Sequence, residues 1–145
     1  QGATTLWEQW NGQGSRNHIM FGHISAWFYQ ALAGINPDPE IAGFKHIIIR
    51  PHLVGDISWV RAEHRCMYGL IRSCWRKEHG KYTLEVTIPV NTTATIYIPA
   101  RSAESVTEAG RTAAKAESVQ FLRMEDDNAV FEIGSGTYYF ASELP

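Results

Sequence analysis

Residues 81–98 read KYTLEVTIPVNTTATIYI, and their alternation decides the fold. Tyr82, Leu84, Val86 and Ile88 recur at every second position, with Lys81, Thr83, Glu85 and Thr87 between them. Ala94, Ile96 and Ile98 repeat the pattern after Pro89-Val90-Asn91. A period of two puts successive side chains on opposite faces, so each run reads as a strand with one buried side. Proline followed by asparagine is turn chemistry, so the two runs are separate strands joined by a short loop.

The same reading extends in both directions. His46–Arg50 is a β-branched run stopped by Pro51. Ile57–Cys66 and Leu70–Lys77 flank the turn Met67-Tyr68-Gly69. Further short strands are expected near Ser105–Glu108, Val119–Met124, Ala129–Ile133 and Thr137–Ser142. Between them lie His79-Gly80, Ala109-Gly110, Asp126-Asp127-Asn128 and Gly134-Ser135-Gly136, all turn formers. About eight strands at this spacing, with no helix between them, predict a mainly β, antiparallel, jelly-roll-like sandwich over residues 37–145. Trp59 and Trp75 fall in strands and are expected in its core.

Upstream the pattern changes. Asn36-Pro37-Asp38-Pro39 cannot continue a helix and marks a domain boundary. Before it, residues 17–34 (NHIMFGHISAWFYQALAG) predict one helix, with Met20, Phe21, Ile24, Trp27, Phe28, Ala31 and Leu32 at helical spacing. Asn17 suits the N-cap and Gly34 the C′ position. The apolar stripe is wide, so the helix should be covered on more than one side. Residues 1–16 read as a Gly/Gln/Ser-rich loop carrying Trp7 and Trp10.

The chain has 145 residues, of which 44% are hydrophobic and 19% charged, and a formal net charge of −2. That balance excludes a disordered tail and argues against a nucleic-acid partner, which needs a basic face. No apolar run reaches the length of a membrane helix, so no membrane partner is expected. Charge is unevenly placed: residues 1–36 contain only Glu8 and Arg16. With its aromatics and no starting Met, this quarter reads as a fragment's interior, normally covered by more chain. Self-association of the fragment through its uncovered helix is left open. Cys66 and Cys74 lack CxxC spacing and read as small buried or half-buried apolar residues, with no metal or organic cofactor implied.

Glu8 is the only acid before Asp38 and sits between Trp7 and Trp10. Indoles can stack on a pyranose, and apolar surroundings can tune an acid, so the trio is a candidate sugar site. An acid that merely accepts backbone N–H groups fits the local sequence equally. His18, at the helix start, could bind a ligand hydroxyl or be structural. His23 is taken as structural, and His46, His52, His64 and His79 as surface or edge residues. Gly12-Gln13-Gly14 is too short to signal phosphate binding, and no GxSxG, P-loop or dinucleotide fingerprint is present.

Gly2-Ala3-Thr4-Thr5-Leu6-Trp7-Glu8-Gln9-Trp10, Asn17-His18-Ile19-Met20-Phe21-Gly22 and Trp27-Phe28-Tyr29 resemble the end of the catalytic domain of bacterial α-L-rhamnosidases, glycoside hydrolase family 78. Gly43–Pro51, Ser73-Cys74-Trp75 and Ile88–Thr95 resemble that family's C-terminal β-sandwich. The resemblance implies that residues 1–36 close an (α/α)6 barrel and that the parent is an inverting glycosidase releasing terminal rhamnose from a rhamnose-containing carbohydrate. Such enzymes set two carboxyl groups ~6.5–9.5 Å apart to admit a water. The resemblance makes Glu8 the general base and His18 a contact to rhamnose hydroxyls, with Trp7 and Trp10 shaping the pocket. It also implies a bacterial protein, cytoplasmic or periplasmic, that needs the remainder of its barrel. The stretch between Trp10 and Asn17 is shorter than the family's loop, and the general acid belongs to earlier sequence. The 145 residues alone are therefore expected to be inactive. The alternative is a module in which the sandwich binds carbohydrate itself or only buttresses the barrel.

Overall fold

The computed structural model describes residues 2–145. Eleven strands form two sheets: β1 (Ile35–Pro37), β2 (His46–Ile49), β3 (Trp59–Cys66), β4 (Gly69–Glu78), β5 (Lys81–Ile88), β6 (Thr93–Pro99), β7 (Thr107–Glu108), β8 (Arg111–Thr112), β9 (Val119–Glu125), β10 (Asn128–Ile133) and β11 (Gly136–Glu143). The first sheet runs β1-β2-β6-β10-β9 and the second β3-β4-β5-β11-β7-β8. Every pairing is antiparallel except β2 with β6, whose connection passes through the other sheet. The mainly β sandwich expected from the alternation is what forms.

The alternation sets the core. Ile47, Ile49, Ala94, Ile96, Ile98, Phe131 and Ile133 face inward from one sheet. Ile71, Trp75, Tyr82, Leu84, Val86, Ile88 and Phe140 face them from the other. Phe131 and Phe140 stack across the interface with centroids 6.0 Å apart. Burying side chains of this size contributes roughly 1.5–3 kcal/mol each, which is why the two faces close on one another.

β1 and β8 are strands the sequence reading lacks. β1 pairs Ile35–Pro37 with Ile47–Ile49 at a sheet edge, where a proline costs no ladder bond to a further strand. β7 and β8 form a hairpin around Ala109 and Gly110, both at positive φ (46° and 79°), as a tight primed turn requires.

Trp59 corrects an expectation. It is 61% exposed, because Val60, Ala62 and His64 take the inward positions of β3 and leave the odd residues outside. Trp75 is buried as expected. Both cysteines are free and half-buried. His46 is held between the Thr93 and Thr95 hydroxyls at 2.6 and 2.8 Å.

The helix is shorter than residues 17–34 and not uniform. It begins with a 3₁₀ turn (Ile19–Gly22), continues as one α turn (Ile24–Trp27) and ends in a π turn (Phe28–Leu32). His18, not Asn17, occupies the N-cap, and no side chain caps it. The wide last turn closes with the Ala33 N–H donating to Phe28 O at 3.0 Å. Gly34 follows at φ +73°, and a Cβ there would lie 2.2 Å from the Pro51 nitrogen. Only glycine permits this approach of two backbone segments. The contact is closed by the Arg50 N–H donating to Gly34 O at 3.0 Å.

Two buried donors weld the helix end to the sandwich. The Trp75 indole N–H donates to Leu32 O, and the Ser73 hydroxyl to Ala33 O, each at 2.7 Å. The rest of the helix is open: Ile19, Met20, Phe21, Ile24, Trp27 and Phe28 are exposed, and only Leu32 is buried.

Candidate functional site

Residues 5–18 fold back on themselves ahead of the helix. The Glu8 N–H donates to Ser15 O at 2.8 Å and the His18 N–H to Leu6 O at 2.7 Å. The Thr5 hydroxyl adds a bond to Arg16 O. The turn between the arms closes with the Gly12 N–H donating to Gln9 O at 3.0 Å.

Two glycines make this turn possible. Gly12 (φ +78°) lies under the Trp7 indole, where a Cβ would be 2.8 Å from the ring. Gly14 (φ +72°) lies against the Glu8 carboxylate, where a Cβ would be 2.5 Å from Oε2. Neither position tolerates a side chain on steric or conformational grounds. Arg16 completes the loop: its guanidinium sits 5.3 Å from the Trp7 ring centroid, and its Nε donates to Gly12 O at 3.0 Å.

The loop presents Glu8. Its Oε2 accepts the Ser15 N–H at 2.9 Å and stands 3.9 Å from His18 Nδ1. Its Oε1 accepts no hydrogen bond among the described residues, which leaves one oxygen able to take a proton. The carboxyl is exposed and the imidazole half-buried, tilted against Phe21 at 4.8 Å. So Glu8 does accept a backbone N–H, and it is also brought to His18, ten positions away in sequence.

Glu8, Trp7 and Trp10 line a hollow of about 700 Å³ together with Leu6 and Phe21. Trp10 is fully exposed at its edge and Trp7 half-buried. His18 does not line the hollow; it reaches it through Glu8 and Phe21. Gly12, Gly14, Ser15 and Arg16 are parts of the site that the sequence reading does not contain. The pair Gly12/Gly14 was a signal for them, as a demand for positive φ rather than for phosphate. Among the described residues no cluster of three or more metal-ligating side chains exists, and no helix is long and apolar enough to cross a membrane.

By fold, the chain is a two-sheet β-sandwich welded behind a short helix, with a carboxylate, an imidazole and two indoles on the loop before that helix. Residues 34–113 match the bacterial alpha-L-rhamnosidase C-terminal domain, and residues 1–32 match the bacterial alpha-L-rhamnosidase 6 hairpin glycosidase domain. The chain belongs to the bacterial α-L-rhamnosidase family. It is 33% identical to an α-L-rhamnosidase of Streptomyces avermitilis, over 97% of this chain and 14% of that protein. To one of Formosa agariphila it is 31% identical, over 99% of this chain and 16% of that protein. Among solved structures it is similar to the S. avermitilis α-L-rhamnosidase complexed with L-rhamnose, with a TM-score of 0.79, 33% identity and coverage of 98% of this chain and 14% of that one. It is similar also to the α-L-rhamnosidase from Dictyoglumus thermophilum, with a TM-score of 0.76, 32% identity and coverage of 98% and 16%. The chain thus spans 14–16% of the length of these relatives.

Proposed function

We propose that the residues before β1, 1–34, close the catalytic (α/α)6 barrel of an inverting α-L-rhamnosidase and that residues 35–145 form its C-terminal sandwich, the boundary falling ahead of Asn36-Pro37 because Ile35 and Asn36 already pair in the first sheet. In this reading Glu8 is the general base. Its Oε1 removes a proton from a water that attacks the anomeric carbon, while a general acid from earlier barrel sequence protonates the departing oxygen. Oε2, held by the Ser15 N–H, keeps the carboxyl from rotating. His18 offers a ring nitrogen to sugar hydroxyls, and Trp7 and Trp10 give apolar surface to the ring. The substrate is a carbohydrate bearing terminal α-L-rhamnose. The remainder of the barrel covers the exposed face of Ile19, Met20, Ile24 and Trp27.

The observation that carries the proposal is the Glu8 carboxylate, pinned by one oxygen, free at the other and 3.9 Å from His18. The test is Glu8→Gln in the longer enzyme that completes the barrel. Turnover of an aryl α-L-rhamnoside should fall by roughly 10²–10⁴-fold, the usual contribution of a general base. Near-normal turnover would remove Glu8 from the mechanism. The 145-residue chain alone should show none, since one carboxylate cannot serve both roles.

The sandwich acts first as a buttress. The bonds from Trp75 and Ser73 to the carbonyls of Leu32 and Ala33 support this, because they hold the end of the helix whose start carries His18.

A further inference from the structure

A cleft of about 480 Å³ separates the end of the helix from β3 and shares no residue with the hollow beside Glu8. Phe28 and Leu32 line it from the helix, and Trp59, Val60 and Ala62 from β3. Leu32 is buried, and Val60 and Ala62 are half-buried against the core, whereas Phe28 and Trp59 are exposed. β3 is the first strand of its sheet and pairs only with β4, so its eight residues leave one edge unpaired. Folded proteins cover an edge of this length.

The cleft cannot close by collapse. The helix end is bonded to β4 through Trp75 and Ser73, and β3 is paired to the same strand along its whole length. Both walls are therefore fixed, and the apolar surface between them needs an occupant. The charge bordering it is already balanced. Glu63 meets Arg72 at 2.9 Å and Arg61 at 3.5 Å, and Arg72 also meets Glu85 at 3.3 Å. Two acids and two bases satisfy one another, so the cleft calls for an apolar, uncharged occupant inside a neutral polar rim.

The cleft also continues a face that already needs covering. Phe28 packs edge-on against Trp27 at 5.7 Å, and both belong to the exposed apolar face of the helix. A body that covers Trp27 and Phe28 reaches the cleft through Phe28. The chain spans only 14–16% of the length of its relatives, so ample polypeptide of the right kind exists in them.

We propose that this cleft seats an apolar segment of the remainder of the catalytic barrel, which packs between the helix end and β3 and buries Trp59. The sandwich then holds the barrel at two places: through the helix end, and through the outward indole of its edge strand. The inference rests on the reading that the barrel covers the helix, and it extends that contact onto the sandwich itself.

The experiment is hydroxyl-radical footprinting of the longer enzyme and of the 145-residue chain, the latter at a concentration where sedimentation shows it monomeric. Trp59 should be oxidised at least about fivefold more slowly in the longer enzyme, as a side chain in the centre of an interface is. Trp27 reports on the underlying reading. Protection of Trp27 with Trp59 left open would overturn the cleft proposal and keep the barrel reading, whereas loss of protection at both would overturn both. Trp59→Ala adds a second measurement. The short variant should keep its circular dichroism and melting temperature, because the indole is exposed there, while the longer enzyme should melt at least about 2 °C lower. Unchanged melting of the longer enzyme would overturn the proposal. So would a short chain that dimerises through Trp59 while the longer enzyme leaves that indole open, since the occupant would then be a second copy.

Discussion

Trp75 and Tyr82 are neighbours in the core, with ring centroids 6.3 Å apart, and both are buried. They differ in one respect. The Trp75 N–H is bonded to Leu32 O at 2.7 Å, whereas the Tyr82 hydroxyl is a buried polar atom with no partner among the described residues. Burial alone pushes the Tyr82 phenol well above its ordinary pKa. Replacing each by Phe should therefore act in opposite directions. Trp75→Phe leaves the Leu32 carbonyl orphaned, at about 1–3 kcal/mol, and the smaller ring gives up roughly 1 kcal/mol of burial and packing. The expected loss is about 2–4 kcal/mol. Tyr82→Phe removes an unsatisfied hydroxyl at nearly constant shape and should gain about 0.5–1.5 kcal/mol. Urea unfolding of the 145-residue chain reads both, and at roughly 3 °C per kcal/mol the melting temperatures should separate by about 7–16 °C. Amide exchange should also rise selectively near residues 31–34 in Trp75→Phe, since the lost bond anchors the last helical turn. Stability of Trp75→Phe within about 0.5 kcal/mol of the parent, or a loss exceeding about 1 kcal/mol in Tyr82→Phe, would refute the reasoning.

Gly34→Ala should be more damaging than its size suggests, because a Cβ would meet the Pro51 nitrogen at 2.2 Å with the backbone at φ +73°. A loss of at least about 2 kcal/mol is expected from strain and steric overlap, measured by the same unfolding curve. Gly14→Ala should leave the sandwich's melting unchanged yet displace the Glu8 carboxylate, whose Oε2 would lie 2.5 Å from the new carbon. In the longer enzyme it should lower kcat at least tenfold, and unchanged kcat would contradict the loop geometry. Glu63 supplies a pH test. Its hydrogen bond and charge pairing with Arg72 hold its carboxyl below the ordinary 4.5. Its contribution is therefore present above the unfolded-state pKa and lost as pH falls through the folded one. Glu63→Gln should flatten the fall in melting temperature on acidification below about pH 4.5, and an unchanged slope would remove Glu63 from the acid response.

The β region was legible because period-two alternation is a local pattern that one buried face enforces. Lys81–Ile88 forms a strand with the bounds the alternation predicts. Trp59 was not legible. Its composition suits a core, but parity within β3 is set by pairing Val60 with Trp75, and that register turns Trp59 outward. β1 and β8 were missed because three- and two-residue strands exist only through their partners. The helix was recognised but overextended, since hydrophobic spacing does not distinguish an α turn from the 3₁₀ and π turns at its ends.

At the candidate site, the residue types were readable and their arrangement was not. The motif around Trp7, Glu8 and Trp10 and the pair Asn17-His18 can be read along the chain. That Glu8 and His18 lie 3.9 Å apart depends on the reversal between them, which two glycines at positive φ and the Arg16 bond to Gly12 O produce.

The sequence by itself determined the sandwich, the helix before it and the acid and indoles on its loop, because alternation, helical spacing and residue chemistry act over a few positions. Tertiary structure alone decided which indole is core and which is surface. It also decided that Leu32 and Ala33 are bonded to a strand some forty residues away, and that Phe28 and Trp59 share one cleft. Those outcomes depend on register and on contacts between distant segments, and no local pattern encodes them.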